Sequence, residues 1–270
     1  MIVTIVTPTL NGMEFLARCI DSVKRNQTPG VQIDHVIVDG GSTDGTVAYA
    51  ESQGLRVLTG KDKGIFDAIN KGSFNSEGQL LGFLGADDTM LEGAVAAIVS
   101  AYRRSGRRWV VGGIRWTNEN DQSLGELAAP PSWMSPKMHA SLGWNPIMHM
   151  STYFSRSFYE ELGGFNITFK DSGDYDMFAR ALSRAPYARI DKPLTCFRRT
   201  GKNNSVVNRA RSMDENRLIL EERGPKSAST RFFLRTVLKS WLNIRNPHWT
   251  FGKLSGKLQR KLHLRESAYF

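Results

Sequence analysis

Two cysteines in 270 residues, Cys19 and Cys196, are too few for a disulfide framework and lack the short Cys/His spacing of a zinc site. Both are expected to be reduced thiols in the core. Long hydrophobic runs are also missing: Arg, Lys or Gly interrupts the richest stretches within a few residues, so no segment is expected to cross a bilayer. Neither end has the charged-then-apolar order of a secretion signal, which predicts a protein held on the cytoplasmic side of its membrane. The first strand-to-helix turn lacks Gly-x-Gly-x-x-Gly, which argues against a nicotinamide or flavin enzyme, and no Walker loop is present. Acidic residues are absent from Gly224 to Leu264, a stretch holding nine Lys and Arg. The net charge of +10 therefore belongs to a tail, and the remainder is close to neutral.

The residues that are present read as an α/β chain. Hydrophobic content of 40% is ample for one domain of ordinary size plus an appended segment. Strand patterns at 2–7, 35–39, 55–59 and 80–84 alternate with helical spacing at 14–23, 46–52, 65–74 and 91–103. That order predicts a parallel sheet wrapped by helices, with ligands gathered beyond the carboxyl ends of the strands. After a strand at 109–113 the rhythm breaks, and the Pro/Gly/Ser/Met-rich stretch 128–146 reads as a long irregular wall or lid. Regular patterns return as a strand at 151–155, helices at 157–162 and 175–183, and a strand at 194–198.

Chemistry-bearing residues follow the strands. The first strand ends in Thr7-Pro8-Thr9-Leu10-Asn11-Gly12 and the second in Asp39-Gly40-Gly41-Ser42-Thr43-Asp44-Gly45-Thr46. Asp39 is placed to accept hydrogen bonds from a nucleobase, and Asp44 to cap the next helix; turn chemistry alone also accounts for Ser42, Thr43 and Asp44. The fourth strand runs into Asp87-Asp88. Neighbouring carboxylates at the end of a buried strand repel unless a cation lies beside them, and a hard divalent ion on a diphosphate would relieve that repulsion. A helix N-cap is the other reading of the pair. Between these turns, Asp67, Asn70 and Lys71 fall at helical spacing and would turn one polar face to the crevice, while Gly64 permits close backbone approach.

These motifs, in this order, resemble family 2 glycosyltransferases of the GT-A fold. The Gly163-Gly164-Phe165 turn and Gly173-Asp174-Tyr175-Asp176 extend the likeness, which covers residues 2–205. The resemblance implies a Rossmann-like, mainly parallel sheet flanked by helices. It implies a catalytic domain at 1–205, with a nucleotide-sugar half at 1–113 and an acceptor and catalytic-base half at 114–205, followed by a basic helical extension at 206–270. It implies that Pro8, Thr9, Asn11 and Asp39 line the nucleotide pocket with Gly64, Asp67, Asn70 and Lys71, and that Asp87 and Asp88 share ribose and metal-diphosphate contacts with Mn²⁺ or Mg²⁺. Family members usually carry Glu-Asp or Ala-Asp where this chain has Gly173-Asp174, so Asp174 inherits the role of base. Asp171 and Asp176 lie close enough to compete, although Asp176 also suits a helix N-terminal charge.

The implied reaction is inverting transfer of a sugar from a nucleotide-diphosphate donor to a glycan or lipid-linked acceptor, in surface polysaccharide or glycolipid biosynthesis. A nucleotidyltransferase would release diphosphate instead. A non-catalytic binding module of the same fold would bind without turnover. His149 reads either as structural or as a contact to diphosphate, metal or acceptor. Arg198, Arg199 and Lys202 sit in a basic stretch that reads as a lid over the donor phosphates or as solvated surface. In the tail, Phe233, Leu234, Val237, Leu238, Trp241 and Leu242 recur at helical spacing among basic residues, and Phe251, Leu254, Leu258 and Leu262 repeat the theme. Residues 226–265 are thus expected to lie on an anionic membrane as a peripheral anchor, or to pack on the catalytic domain or a second copy of the chain. No recognition motif accompanies the charge, so nucleic acid is not an expected partner.

Overall fold

The computed structural model of the chain describes residues 1–200, 203 and 207–247. Lys202 and the apolar-basic repeat at 251–262 lie outside the described residues. The first half runs β1 (Ile2–Thr9), α1 (Met13–Lys24), β2 (Gln32–Asp39), α2 (Thr46–Ser52), β3 (Arg56–Thr59), α3 (Ile65–Phe74) and β4 (Leu80–Phe83). β1 pairs in parallel with β2 and β4, and β2 with β3, the Rossmann-like arrangement expected from the alternation. Both faces of β1 are buried. Val3 and Ile5 join one apolar cluster with α1, while Val6 joins another with α3, because successive side chains of a strand point to opposite faces.

The second half adds β5 (Thr89–Met90), α4 (Ala94–Ser105), β6 (Trp109–Thr117), β7 (Ser123–Leu127), α5 (Pro136–Ser141) and a 3-10 turn at His149–Ser151. It continues with β8 (Thr152–Ser155), α6 (Arg156–Glu161), α7 (Gly173–Arg184), β9 (Ala188–Arg198), α8 (Arg209–Arg223) and α9 (Ala228–Arg245). The sheet order is β3-β2-β1-β4-β8-β6-β9-β5, with β7 paired to β6. From β8 onward the sheet is mixed: β8 is antiparallel to β4 and β6, whereas β6 and β9 are parallel. Helices flank it on both faces, the α/β architecture that the resemblance implies.

Three elements go beyond the sequence expectation. β5 has only two residues, too short to display alternation. β7 is mostly exposed and polar, and is defined by its pairing with β6 rather than by its own pattern. α5 falls inside the segment expected to be irregular: Ser135 accepts a hydrogen bond from Met138 N, and Pro136 follows it in the first turn. Cys19 is buried as expected, but Cys196 is only half-buried and lines a cleft with Arg18, Arg115 and Thr89.

Aromatic packing consolidates the junction of the two halves. Trp109 stacks on Phe154 at 5.4 Å between ring centroids, and Phe83, Phe158, Tyr159, Phe165 and Phe178 join the same cluster. Truncating such a ring costs about 3–5 kcal/mol. β4, β6, β8 and α7 are therefore held as one unit, in which β4 runs towards Asp87-Asp88 and α7 carries Asp174.

Candidate active site

The ends of β1 and β2 are stitched to each other. Asn11, at φ +51°, accepts a hydrogen bond from Thr43 N through its side-chain oxygen (2.9 Å), while its own N–H donates to Ser42 Oγ (2.7 Å). Gly12 N donates to Thr46 Oγ1 (3.0 Å), and Met13 N donates to Asp44 Oδ2 (3.1 Å). Asp44 thus serves the start of α1 and also accepts from Thr46, and these bonds hold its carboxyl below the usual carboxylate range. Asp39 is buried; its Oδ1 accepts from Gly41 N (3.0 Å) and Ser42 N (2.8 Å), and Ser42 N also reaches Oδ2 at 3.3 Å, which leaves Oδ2 with further accepting capacity. Thr9 Oγ1 is buried beside this turn without a hydrogen-bond partner among the described residues, and Pro8 is half-buried one residue earlier.

Beyond β4 stand Asp87 and Asp88. Burial, together with the charge of Asp87, pushes Asp88 well above the usual carboxylate range; burial also raises Asp87, against the pull of Arg198 and His149. Asp88 Oδ1 accepts from Arg198 N (3.0 Å), and Asp87 Oδ2 from Asn203 Nδ2 (3.3 Å). Among the described residues no three His, Cys, Asp or Glu side chains gather into a metal cage. Two neighbouring buried carboxylates, both raised by burial, fit a hard divalent cation, which would relieve their repulsion.

Opposite them, α7 carries Asp174 in its first turn. Tyr175 N donates to its Oδ1 (2.7 Å), Asn145 Nδ2 donates to its Oδ2 (2.9 Å), and His149 Nδ1 lies 3.8 Å from the same Oδ2. The Asp174 side chain keeps 22% of its surface accessible. His149 is also close enough to Asp87 to act on it electrostatically, so the two acidic motifs share one crevice at the carboxyl edge of the sheet.

Residues 4–163 match the family model described as glycosyl transferase family 2. The chain belongs to this family. A PGL/p-HBAD biosynthesis glycosyltransferase of Mycobacterium bovis (strain BCG / Pasteur 1173P2) is 29% identical over 258 residues, covering 88% of this chain and 96% of that protein. Among solved structures, mannosyltransferase PcManGT from Pyrobaculum calidifontis, in complex with GDP-Man and Mn²⁺, superposes with a TM-score of 0.63 at 18% identity over 98% of this chain and 76% of that one. S. aureus TarS 1-349 in complex with UDP gives 0.62 at 13% identity, over 87% and 70%; the chain spans 42% of the longer TarS structure. At these identities the structures establish the fold.

Several site residues of this family 2 glycosyltransferase have duties other than those expected from sequence. Asn70 does not face the crevice freely: its oxygen accepts from Phe165 N (2.8 Å) and Tyr159 OH (2.6 Å), and its amide donates to Phe165 O (2.8 Å). It fastens α3 to the Gly163-Gly164-Phe165 turn, where Gly164 sits at φ +69° with Asn70 Oδ1 only 2.6 Å from where a Cβ would be. Lys71 reaches Lys61 O (2.7 Å) and pairs with Asp67 (3.3 Å), and Asp67 accepts from Lys63 N (2.8 Å). Together with Gly64, whose N–H donates to Asp62 Oδ1, they shape the loop before α3. Asp176 is buried between Arg180 (2.8 Å) and Arg223 (2.9 Å), and Asp171 pairs with Arg211, so both carboxylates are engaged by arginines.

Arg198 is not part of a flexible lid. It closes β9 with its side chain 1% exposed, donates from Nε to Asp87 O (2.9 Å) and from Nη1 to Glu119 O (3.0 Å), and pairs with Asp121 (2.7 Å). The buried guanidinium ties the end of β9 to the backbone of Asp87 and Glu119, so the residue is an anchor for the Asp87-Asp88 turn. Arg199 lies over the Trp116 ring at 4.8 Å. Asn145 and Glu215 escaped the sequence reading. Asn145 lies in the segment read as irregular, where only its Asn-Pro pair signalled a turn. Glu215 sits in a polar helix with no local sign of its partners.

Proposed function

We propose that this glycosyltransferase moves a sugar, with inversion, from a nucleoside-diphosphate sugar to a hydroxyl of a glycan or lipid-linked acceptor in surface polysaccharide or glycolipid assembly. The observation carrying the proposal is the shared crevice: Asp87-Asp88 on one side, and Asp174 on the other with its carboxylate held by Asn145 and Tyr175 N. The UDP and GDP-Man complexes of the neighbouring folds support a nucleotide-sugar donor, and the near full-length similarity to a PGL/p-HBAD biosynthesis enzyme supports a glycoconjugate product.

In this reading Pro8, Thr9, Asn11 and Asp39 form the nucleotide wall. Asp87 and Asp88 hold Mn²⁺ or Mg²⁺, which when bound supplies the charge that stabilises the leaving diphosphate. Asp174 accepts the proton of the acceptor hydroxyl as that oxygen attacks the anomeric carbon, and the nucleoside diphosphate departs from the opposite face. One displacement inverts the centre and needs no covalent intermediate.

Two variants test the roles separately. Asp174→Asn is expected to bind donor as wild type does while release of nucleoside diphosphate falls about 1000-fold; retained turnover moves the base elsewhere. Asp88→Ala is expected to weaken Mn²⁺-dependent binding of UDP or GDP, and unchanged affinity in manganese counts against the metal assignment.

Part of the tail supports a membrane role. α9 leaves Phe232 and Phe233 exposed at 73% and 64% beside Arg231 and Arg235, in a stretch free of acidic residues. Aromatic and basic residues side by side suit the headgroup region of an anionic bilayer, where a lipid-linked acceptor would reside.

A further inference from the structure

The group that holds Asp174 is itself held by a chain of buried contacts. Asn145 Oδ1 accepts from Ile147 N at 3.0 Å, and a backbone N–H can only donate. That bond assigns the oxygen and the nitrogen of the Asn145 amide, so the atom 2.9 Å from Asp174 Oδ2 is Nδ2, a donor. The opposite orientation would set an amide oxygen against the carboxylate.

A second contact reinforces the assignment. His139 Nε2 lies 3.1 Å from the same Asn145 Oδ1, so Nε2 carries the proton and Nδ1 does not. Nδ1 is buried with no hydrogen-bond partner among the described residues, as an unprotonated nitrogen in an apolar wall would be. Burial also pulls His139 down to about 4, which keeps the ring neutral at working pH. The ring packs on Tyr175 at 4.8 Å, and Tyr175 OH donates to Ala140 O (2.8 Å) and accepts from Gly143 N (3.2 Å). α5, the loop after it and the first turn of α7 are thus braced around a single carboxylate.

We infer that Asn145 is a positioning residue for the proposed base: it fixes the Asp174 carboxylate for proton transfer, and His139 fixes the Asn145 amide. The inference rests on the reading of Asp174 as base. With Oδ1 held by Tyr175 N and Oδ2 by Asn145, the carboxylate cannot rotate about its last bond without losing both donors. Misplacing a reacting group by about 1 Å is sufficient to cost about 100-fold in rate. A merely structural Asn145 would need only its Oδ1 contacts; the bond from Nδ2 runs into the crevice and braces no backbone.

The test follows nucleoside diphosphate release with Mn²⁺ from UDP-N-acetylglucosamine or GDP-mannose, using the donor that wild type turns over. Asn145→Ala is expected to lower kcat about 100-fold while donor KM stays within about twofold. The Asn145→Ala/Asp174→Asn double variant is expected to be no slower than Asp174→Asn alone, because the first residue acts only through the second. His139→Leu should lose several-fold in kcat, and His139→Gln, which restores a donor, should recover it. Asn145→Ser is read beside Asn145→Ala, and melting curves identify a variant that has simply unfolded. A kcat within twofold of wild type in both Asn145 variants, or full additivity with Asp174→Asn, overturns the inference. Wild-type turnover in Asp174→Asn overturns the base assignment beneath it, a result distinguishable from either.

Discussion

Two histidines far apart in the sequence are buried without charge. His35 on β2 shares a hydrogen bond with Thr7 Oγ1 (2.9 Å), and burial, with Lys24 nearby, brings it from an ordinary 6.5 to about 4; His139 is brought equally low by burial. The unfolded chain takes up these protons near pH 6.5 and the folded chain only near pH 4, so stability is complete above 6.5 and declines as pH falls through that window. Each histidine contributes on the order of 3 kcal/mol to this acid sensitivity. His35→Gln is expected to flatten the decline measured by urea unfolding between pH 7 and pH 4.5; an unchanged slope would show that other groups control it. Residue-scale packing also explains the family departure at Gly173. A Cβ there would stand 2.6 Å from the Phe66 ring, so α7 approaches α3 too closely for the usual Glu or Ala. The sequence carries no sign of this contact, because positions 66 and 173 are 107 apart along the chain.

α7 owes its placement to a partner helix. Glu215 of α8 accepts from the backbone N–H groups of Lys170 (2.7 Å), Asp171 (2.9 Å) and Ser172 (2.8 Å), just ahead of the turn that carries Asp174. A negative charge at a helix N-terminus satisfies unpaired donors and suits the helix dipole. Arg223, at the other end of α8, pairs with the buried Asp176. Glu215→Ala should therefore cost about 3 kcal/mol in chemical denaturation and slow turnover more than it weakens donor binding. Equal loss of both would make α8 a general brace rather than a support of the base. Local pattern located α7 and its acidic first turn; it carried no sign of α8's grip, since a polar helix advertises no particular partner.

The whole molecule treats the start of its tail as core. Leu238 and Leu242 of α9 are buried, Trp241 meets Trp133 edge-on at 6.3 Å, and Asn246 Oδ1 accepts from Ala128 N (2.7 Å). Of the apolar stripe recognised in the sequence, Leu234, Val237, Leu238, Trp241 and Leu242 pack on the core, whereas Phe233 stays exposed together with Phe232 and Ile244. Removing everything after Gly224 would open the core as well as any membrane contact. The Phe232→Ser/Phe233→Ser variant separates the two: the full chain is expected to sediment with phosphatidylglycerol vesicles at low salt, and the variant to stay in solution with an unchanged melting temperature. A full chain that never sediments ends the membrane proposal. No described helix is long and apolar enough to cross a bilayer.

What the sequence determined by itself was whatever period and turn chemistry record locally: the βαβ rhythm of the first half, the Asp87-Asp88 turn, and the acidic start of α7. These depend on neighbours a few residues apart. The tertiary structure decided the rest. It turned Asn70 and Arg198 from expected ligands into fasteners, paired Asp171 and Asp176 with arginines, and set Asn145 on Asp174 from a segment with no regular pattern. The physical reason is common to all of them. A hydrogen bond or ion pair is satisfied by whatever lies within about 3 Å, and that distance is set by the packing of the whole chain.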